Sequence, residues 1–318
     1  MMYFPDQTWQ TLSPDRAGIP ASSLKKFLDR VENEPMNLHG LIILRDGFLV
    51  LEKYWEPFHN QSAEHVFSIT KSVVSLLAGI AVGEGLIDED AAVHSYFPEI
   101  SPDPLDSNLA KLKLRHLMTM SSGQASDSDW KEEGAVKRFL STPIPCEPGS
   151  RFAYMNGCAT MVCAILQKVT DRPLAAYAQE KLFGPLQIER PEWKQNPDGI
   201  CYGGYGISLK TSDIARIGLL LLNDGAWKGR QVVPRNYVRK ATSALRPSFE
   251  QGDPNWTAGY GYFLWQNAPA LGGYHGVGLH GHYCIVIPKY NLVCATTADG
   301  EMFRILHALE EEMIPNIS

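Results

Sequence analysis

With 318 residues, 44% hydrophobic and 20% charged, the chain has the make-up of an ordinary soluble globular protein, long enough for one large α/β unit with an insertion. A formal net charge of −6, with no Lys/Arg-rich run, argues against nucleic acid or an anionic membrane as partner. Met1–Gln7 lacks a basic n-region and an apolar h-region, and the longest apolar run, around Val73 to Val82, is too short for a bilayer. The expectation is a cytoplasmic protein without secretory signal or membrane span.

Ser22 to Glu34 reads as a helix opened by Ser22 or Ser23 and stopped before Pro35. Two apolar runs follow, Gly40–Leu44 and Phe48–Leu51, split by Arg45-Asp46-Gly47. Asp-Gly between apolar strands predicts a hairpin. Val66 to Val82 then reads as a buried helix with Ser68 in its first turn. From Leu86 to about Gly199 the apolar segments are helical or irregular. Leu112–Met120 ends at Ser121-Ser122-Gly123, Asp127–Glu133 is a charged exposed loop, and Gly157–Val169 and Leu174–Leu182 are helices. Ile214–Leu222, capped by Thr211-Ser212-Asp213, and Pro234–Ala244 are helices too. Strand character returns at Gly259–Trp265, His282–Ile287 and Leu292–Thr297, and Met302–Met313 closes as a helix. Strands at both ends and helices between them predict an α+β fold, an α/β sandwich. Its antiparallel sheet is built from both chain ends and flanked by terminal helices. Residues 1–85 and 200–318 form this part, and 86–199 form an all-helical insertion, with the active site at the junction.

Six cysteines, Cys146, Cys158, Cys163, Cys201, Cys284 and Cys294, form no C-x-x-C and read as reduced thiols rather than a disulfide framework.

Three segments carry chemistry. Ser-x-x-Lys occurs four times, starting at Ser22, Ser23, Ser68 and Ser128, so the motif alone says little. Context separates the four. Only Lys71 leads into an almost wholly apolar run, which places it on a helix hydrophobic all round. Residues i and i+3 share a helix face, so Ser68 and Lys71 lie side by side. A serine needs a base to become a nucleophile, and a lysine whose pKa is lowered by burial can be one. The alternative is a snorkelling lysine beside a helix-capping serine. The second segment is Tyr154-Met155-Asn156, the only Y-x-N, on a turn before an apolar helix. Its phenol can shuttle a proton and its amide can hold Lys71 or a substrate carbonyl. Packing and capping are the plain alternatives. The third is Gly272-Gly273-Tyr274-His275-Gly276-Val277-Gly278-Leu279-His280-Gly281-His282. Its glycines let the backbone approach a ligand and offer a second oxyanion donor beside the Ser68 N–H. His275, His280 and His282 raise the question of zinc, but no H-E-x-x-H or Cys/His spacing supports it, and neither metal nor organic cofactor is expected.

Taken together, Ser68-x-x-Lys71, Tyr154-x-Asn156 and a later glycine-rich strand resemble the ordered motifs of the serine β-lactamases and penicillin-binding proteins. The likeness extends through Leu86-Ile87-Asp88-Glu89-Asp90, Leu117–Gly123, Pro148-Gly149-x-x-Phe152, Leu182-Phe183-x-Pro185-Leu186 and Asp213–Leu222, and is similar above all to the class C-like branch of esterases and 6-aminohexanoate-dimer hydrolases. The resemblance implies a serine hydrolase acting on a small ester, amide or short peptide-like substrate. Ser68 is then the acylated nucleophile, Lys71 and Tyr154 the proton-transfer pair, and Asn156, His275, Gly276, Val277 and Gly278 the substrate-binding residues. One departure stands out. The family's third motif is usually Lys-Thr-Gly or a His-x-Gly variant, and here the matching region reads Tyr274-His275-Gly276. A missing lysine weakens the β-lactamase and DD-peptidase alternatives. It also raises the expectation that His275 replaces part of that charge. A relative that binds acyl or peptide ligands without catalysis is the remaining alternative.

Overall fold

The computed structural model describes residues 2–6 and 8–318. Helix α1 (Ala21–Asn33) begins directly after Pro20, whose ring fixes the entry angle, and ends before Pro35. Strands β1 (Leu38–Arg45) and β2 (Phe48–Tyr54) close around Asp46 and Gly47, both at positive φ (52° and 84°), as a type I′ hairpin turn requires. Helix α2 (Ile69–Gly83) follows. Far along the chain come β3 (Trp265–Gln266), β4 (Tyr274–Gly278), β5 (His282–Ile287) and β6 (Leu292–Ala298). The sheet order is β2-β1-β6-β5-β4-β3 and every neighbouring pair is antiparallel. Strand β1 pairs with β6 from Leu38↔Ala298 to Arg45↔Leu292, so both chain ends build the sheet, as its sequence predicts.

Alternate side chains of β5 identify what covers each face. The Cys284 thiol reaches the Ile214 carbonyl of helix α4 (Thr211–Leu222), whereas the Tyr283 hydroxyl accepts from the Phe303 N–H at the start of the C-terminal helix (Arg304–Met313). That helix packs against α1, so the two terminal helices share the Tyr283 face. Helices α2 and α4 share the other. Covered on both faces, β5 and β6 are buried at every residue, and this is why they read as near-continuous apolar runs. Between 86 and 199 the described residues form helices and no strand of the sheet; the longest is α3 (Asn156–Thr170), packed on α2.

The Gly259–Trp265 expectation needs correction. Only Trp265 joins the sheet. The preceding residues fold into a tight turn, with Gly259 and Phe263 at positive φ and the Gly261 N–H donating to the Leu264 carbonyl. Tyr260, Tyr262, Phe263 and Leu264 are nonetheless buried. Burial of a compact turn leaves the same apolar signature as a strand.

Candidate active site

Ser68 is the residue preceding α2, where serine ordinarily spends its hydroxyl on a backbone cap. Here it does not. The chain winds into the helix so that the N–H groups of Ile69, Thr70 and Lys71 donate to the carbonyls of Val66, Phe67 and Ser68. No cap is needed, and the hydroxyl makes no capping bond to the helix. Among the described residues the Ser68 N–H has no backbone acceptor. The winding forces Phe67 to φ 46°, a conformation unfavourable for a bulky side chain. Its ring is wedged among the rings of His65, His280 and His282, at centroid distances of 4.5, 5.4 and 5.6 Å.

One turn on, Lys71 is buried within a helix whose residues 69–81 are all buried. Its Nζ lies 2.9 Å from Ser68 Oγ, 2.8 Å from Asn156 Oδ1 and 2.6 Å from the Gly204 carbonyl oxygen. Burial pushes its pKa down to about 7, and Asp127 pulls weakly the other way. Ser68 Oγ is also 3.2 Å from the Gly204 carbonyl. Asn156 opens α3. Its N–H and that of Gly157 donate to the two carboxylate oxygens of Asp127, at 2.8 and 2.7 Å, which fixes the end of the helix and aims the Asn156 amide at Lys71.

Tyr154 approaches from the turn before α3. Lys71 Nζ lies 4.7 Å from its ring centre, and its hydroxyl is close enough to Ser68 for that contact to offset part of the upward shift that burial imposes on the phenol. No hydrogen bond of ordinary geometry joins the two hydroxyls among the described residues. Trp265 stacks on the Tyr154 ring at 5.6 Å and holds it in place.

Strand β4 borders the same space. Gly278 runs so close to the chain entering α2 that a Cβ there would sit 2.3 Å from the Val66 carbonyl oxygen, and one on Gly276 would sit 2.3 Å from Ser72 Oγ. Glycine is therefore required at Gly278 for the strand to reach Ser68. Strand β3 pairs only with Tyr274 and His275, so Gly276, Val277 and Gly278 keep one edge open.

His275 does not join them. Alternation along β4 turns it to the Tyr283 face, 5.7 Å from that ring, fully buried and with its Nδ1 2.7 Å from Asn267 Oδ1. Burial pushes its pKa down to about 3, so it is neutral and supplies no charge to a substrate. His282 and His280 sit on the Phe67 side instead. Among the described residues no group of three His, Cys, Asp or Glu side chains is placed to hold a metal ion. All six cysteines are free thiols, five of them buried. Among the described residues no helix is long and apolar enough to cross a membrane.

Three contributors escaped the motif reading. Gly204, in Cys201-Tyr202-Gly203-Gly204-Tyr205-Gly206, abuts Asn156 so closely that a Cβ would be 2.6 Å from the asparagine's own. That glycine cluster was the available signal. In sequence Asp127 belongs to the charged Asp127–Glu133 segment, and Trp265 ends an apolar run with a strand's signature.

A serine, a buried lysine of lowered pKa and a tyrosine thus meet where α2, the start of α3 and the open edge of β4 converge. The 6-aminohexanoate-dimer hydrolase of Paenarthrobacter ureafaciens is 22% identical over 278 residues, spanning 80% of this chain and 70% of that protein. Esterase EstB of Burkholderia gladioli is 24% identical over 215 residues, 56% of this chain and 54% of the esterase. In three dimensions a penicillin-binding protein homologue from Caulobacter crescentus superposes with a TM-score of 0.74 at 16% identity, covering 95% of this chain and 98% of that one. A family model described as Beta-lactamase matches residues 28–302, nearly the whole of the sheet, the helices and the candidate site, and the chain accordingly belongs to the beta-lactamase family as a hydrolase of the serine type.

Proposed function

We propose that Ser68 is the acylated nucleophile of an ester or amide hydrolase, with Lys71 as its base and Tyr154 as proton relay. The observation that carries this reading is the bonding of Lys71 Nζ. A neutral amine has two N–H donors and one lone pair. Of its three oxygen partners, Gly204 and Asn156 can only accept and so take the two N–H bonds of the neutral form, which leaves the lone pair for the Ser68 hydroxyl, the one partner able to donate. A pKa of about 7 keeps that form populated at neutral pH. The Tyr154 phenol, raised by burial, stays protonated and works as a donor rather than as a resting base.

Ser68 Oγ attacks the carbonyl carbon as its proton passes to Lys71. The oxyanion is held by the Ser68 N–H and by backbone donors at the open edge of Gly276–Gly278, each such donor contributing about 3 kcal/mol to the transition state. The carbonyl–heteroatom bond then breaks. The proton moves from Lys71 through Tyr154 to the leaving group, and water regenerates Ser68. Asn156 orients Lys71 and the substrate carbonyl. The division of the chain into 1–85 with 200–318 and 86–199 is the functional one in this reading, because α2 and β4 come from one part and Tyr154 and Asn156 from the other.

The named relatives act on a 6-aminohexanoate dimer and on esters, which favours a small ester, amide or short peptide-like substrate here. A β-lactam preference is disfavoured, since Tyr274-His275-Gly276 offers no cation where the family's lysine stands: His275 is neutral and faces away, and Lys210 is bound to Gln61 and Glu189. Six free thiols fit a cytoplasmic setting. The test is intact-mass detection of a covalent adduct with a fluorophosphonate, with Ser68→Ala as control, beside turnover of p-nitrophenyl esters and nitrocefin. Labelling of the wild type alone with ester turnover is expected. Wild type that neither labels nor turns over any ester would leave a ligand-binding relative of the family.

A further inference from the structure

The ring contact behind Tyr154 continues outward. Trp265, stacked on Tyr154 at 5.6 Å and 24°, is stacked in turn on Phe249 at 5.8 Å and 26°. Phe152 meets Phe249 edge-on at 5.2 Å, and Trp256 closes the group at 4.0 Å from Trp265. The ladder ends in the open, with Phe249 43% exposed. A lone exposed ring is ordinary. This one terminates a row of packed rings that begins at the proton relay, and it lines a cleft of about 520 Å³, the size of a small-molecule site.

Charge at the same cleft is out of balance. Arg151 and Arg246 both line it, with Glu250 alone as acid. Among the described residues neither guanidinium enters an ion pair or a side-chain hydrogen bond, although most other basic side chains of this net-acidic chain do. The charged group acting on Arg246 is Arg115, a like charge. His116, beside Arg246 across Gly149, is kept neutral: burial, Arg115 and Arg246 push its pKa down to about 4. Of the two guanidiniums lining the cleft, Arg246 is half-buried and Arg151 exposed; an unmatched, half-buried guanidinium with a second one at the same cleft is relieved by an anion, and their planar forks fit a carboxylate.

We propose that this cleft is the leaving-group subsite and that it selects aryl esters and amides bearing a carboxylate on the ring's far side. The aryl ring lies against Phe249 and Phe152, and the carboxylate meets Arg246 and Arg151. The side follows from the assignment of Tyr154 as donor to the departing heteroatom, so the inference rests on the reading of Ser68, Lys71 and Tyr154 given above.

Two esters with leaving groups of similar acidity separate the terms: 4-acetoxyphenylacetate, which is anionic, and 4-methylphenyl acetate, which is neutral. Wild type is expected to show kcat/KM about tenfold higher for the anionic ester, the discrimination a charged hydrogen-bonded contact supplies. In Arg151→Gln/Arg246→Gln that ratio falls to about one, and 0.5 M salt lowers it in wild type. Equal kcat/KM for the two esters in wild type, with Ser68 still labelled by fluorophosphonate, would overturn the subsite and leave the hydrolase standing. Failure to label and to turn over either ester would strike the hydrolase reading instead. The subsite is then decided by binding: calorimetry with 4-hydroxyphenylacetate against 4-methylphenol should show at least tenfold tighter binding of the acid, abolished in the double variant. Indistinguishable binding of the two would overturn it.

Discussion

Helices α2 and α3 are both 15 residues long, both buried, and both start at the candidate site, yet their first turns are satisfied in opposite ways. At α2 the chain supplies its own acceptors by winding through Val66–Ser68, at the cost of strain in Phe67. At α3 the acceptors come from Asp127, 29 residues upstream of Asn156. The difference explains the chemistry. A serine at the head of a helix is useful as a nucleophile only if the backbone makes no demand on its hydroxyl. An asparagine at the head of a helix can hold a lysine only if something else closes the helix end. One helix head is freed and the other is fixed.

Removing Lys71 tests the freed end most severely. Lys71→Met is expected to lower kcat by 10³-fold or more, since Ser68 loses its base while keeping its place. Stability should move the other way. Unfolded, this lysine holds its proton to about 10.5; folded, it releases it near 7. Between those values the unfolded state binds more protons, so the lysine's share of stability rises with pH and is most unfavourable at and below pH 7. Denaturant unfolding should therefore show Lys71→Met more stable than wild type by about 2–4 kcal/mol at pH 7, with the gap narrowing toward pH 10. A less stable Lys71→Met at pH 7 would mean that the amine's hydrogen bonds outweigh its desolvation.

The same group governs activity against pH. Only the neutral amine accepts the serine proton, so kcat/KM should fall about tenfold per unit below pH 7 and level off above it. Tyr154 and the buried histidines contribute no limb in this range. Tyr154 keeps its proton, and His275 and His282, both held at about 3 by burial, stay neutral. A limb near the ordinary lysine value would deny Lys71 the role of base.

Strain at the freed end leads to a smaller effect at the strand beside it. Gly278→Ala places a methyl on the rigid Val66 carbonyl, whereas Gly276→Ala meets only the Ser72 hydroxyl, which can turn away. Ester kcat/KM should drop by at least 10²-fold in the first and by less than tenfold in the second, since the first displaces the turn that presents Ser68.

Much of this was legible in the sequence. Asp46-Gly47, the apolar flank of Lys71 and the order of Ser68, Lys71, Tyr154 and Asn156 each express a local rule, and the sheet closed from both chain ends follows from where strand signals lie. The rest depends on which way a residue faces or what distant chain it meets. His275 and Gly276 are neighbours in a glycine-rich strand, and composition cannot say which faces α2; register and pleat decide it. Gly204 offers a carbonyl, and backbone carbonyls have no sequence signature. Asp127 lies among Asp129, Glu132 and Glu133, and only the fold singles it out.

Asp127→Asn sharpens the contrast at the fixed end, with the mildest effect of the set. One carboxylate oxygen becomes an amide, so one of the Asn156 and Gly157 N–H groups loses its acceptor and the helix end loses a negative charge. A stability loss of about 1 kcal/mol is expected. Asp127 also supports the charged form of Lys71, so its removal lowers that pKa further and moves the acidic limb of kcat/KM to lower pH, by a fraction of a unit because the carboxylate is solvent-exposed. Raising salt to 1 M should shift the wild-type limb in the same direction and leave the variant's nearly unchanged. A limb that moved to higher pH in Asp127→Asn would show that the carboxylate reaches Lys71 through the position of Asn156 rather than through charge.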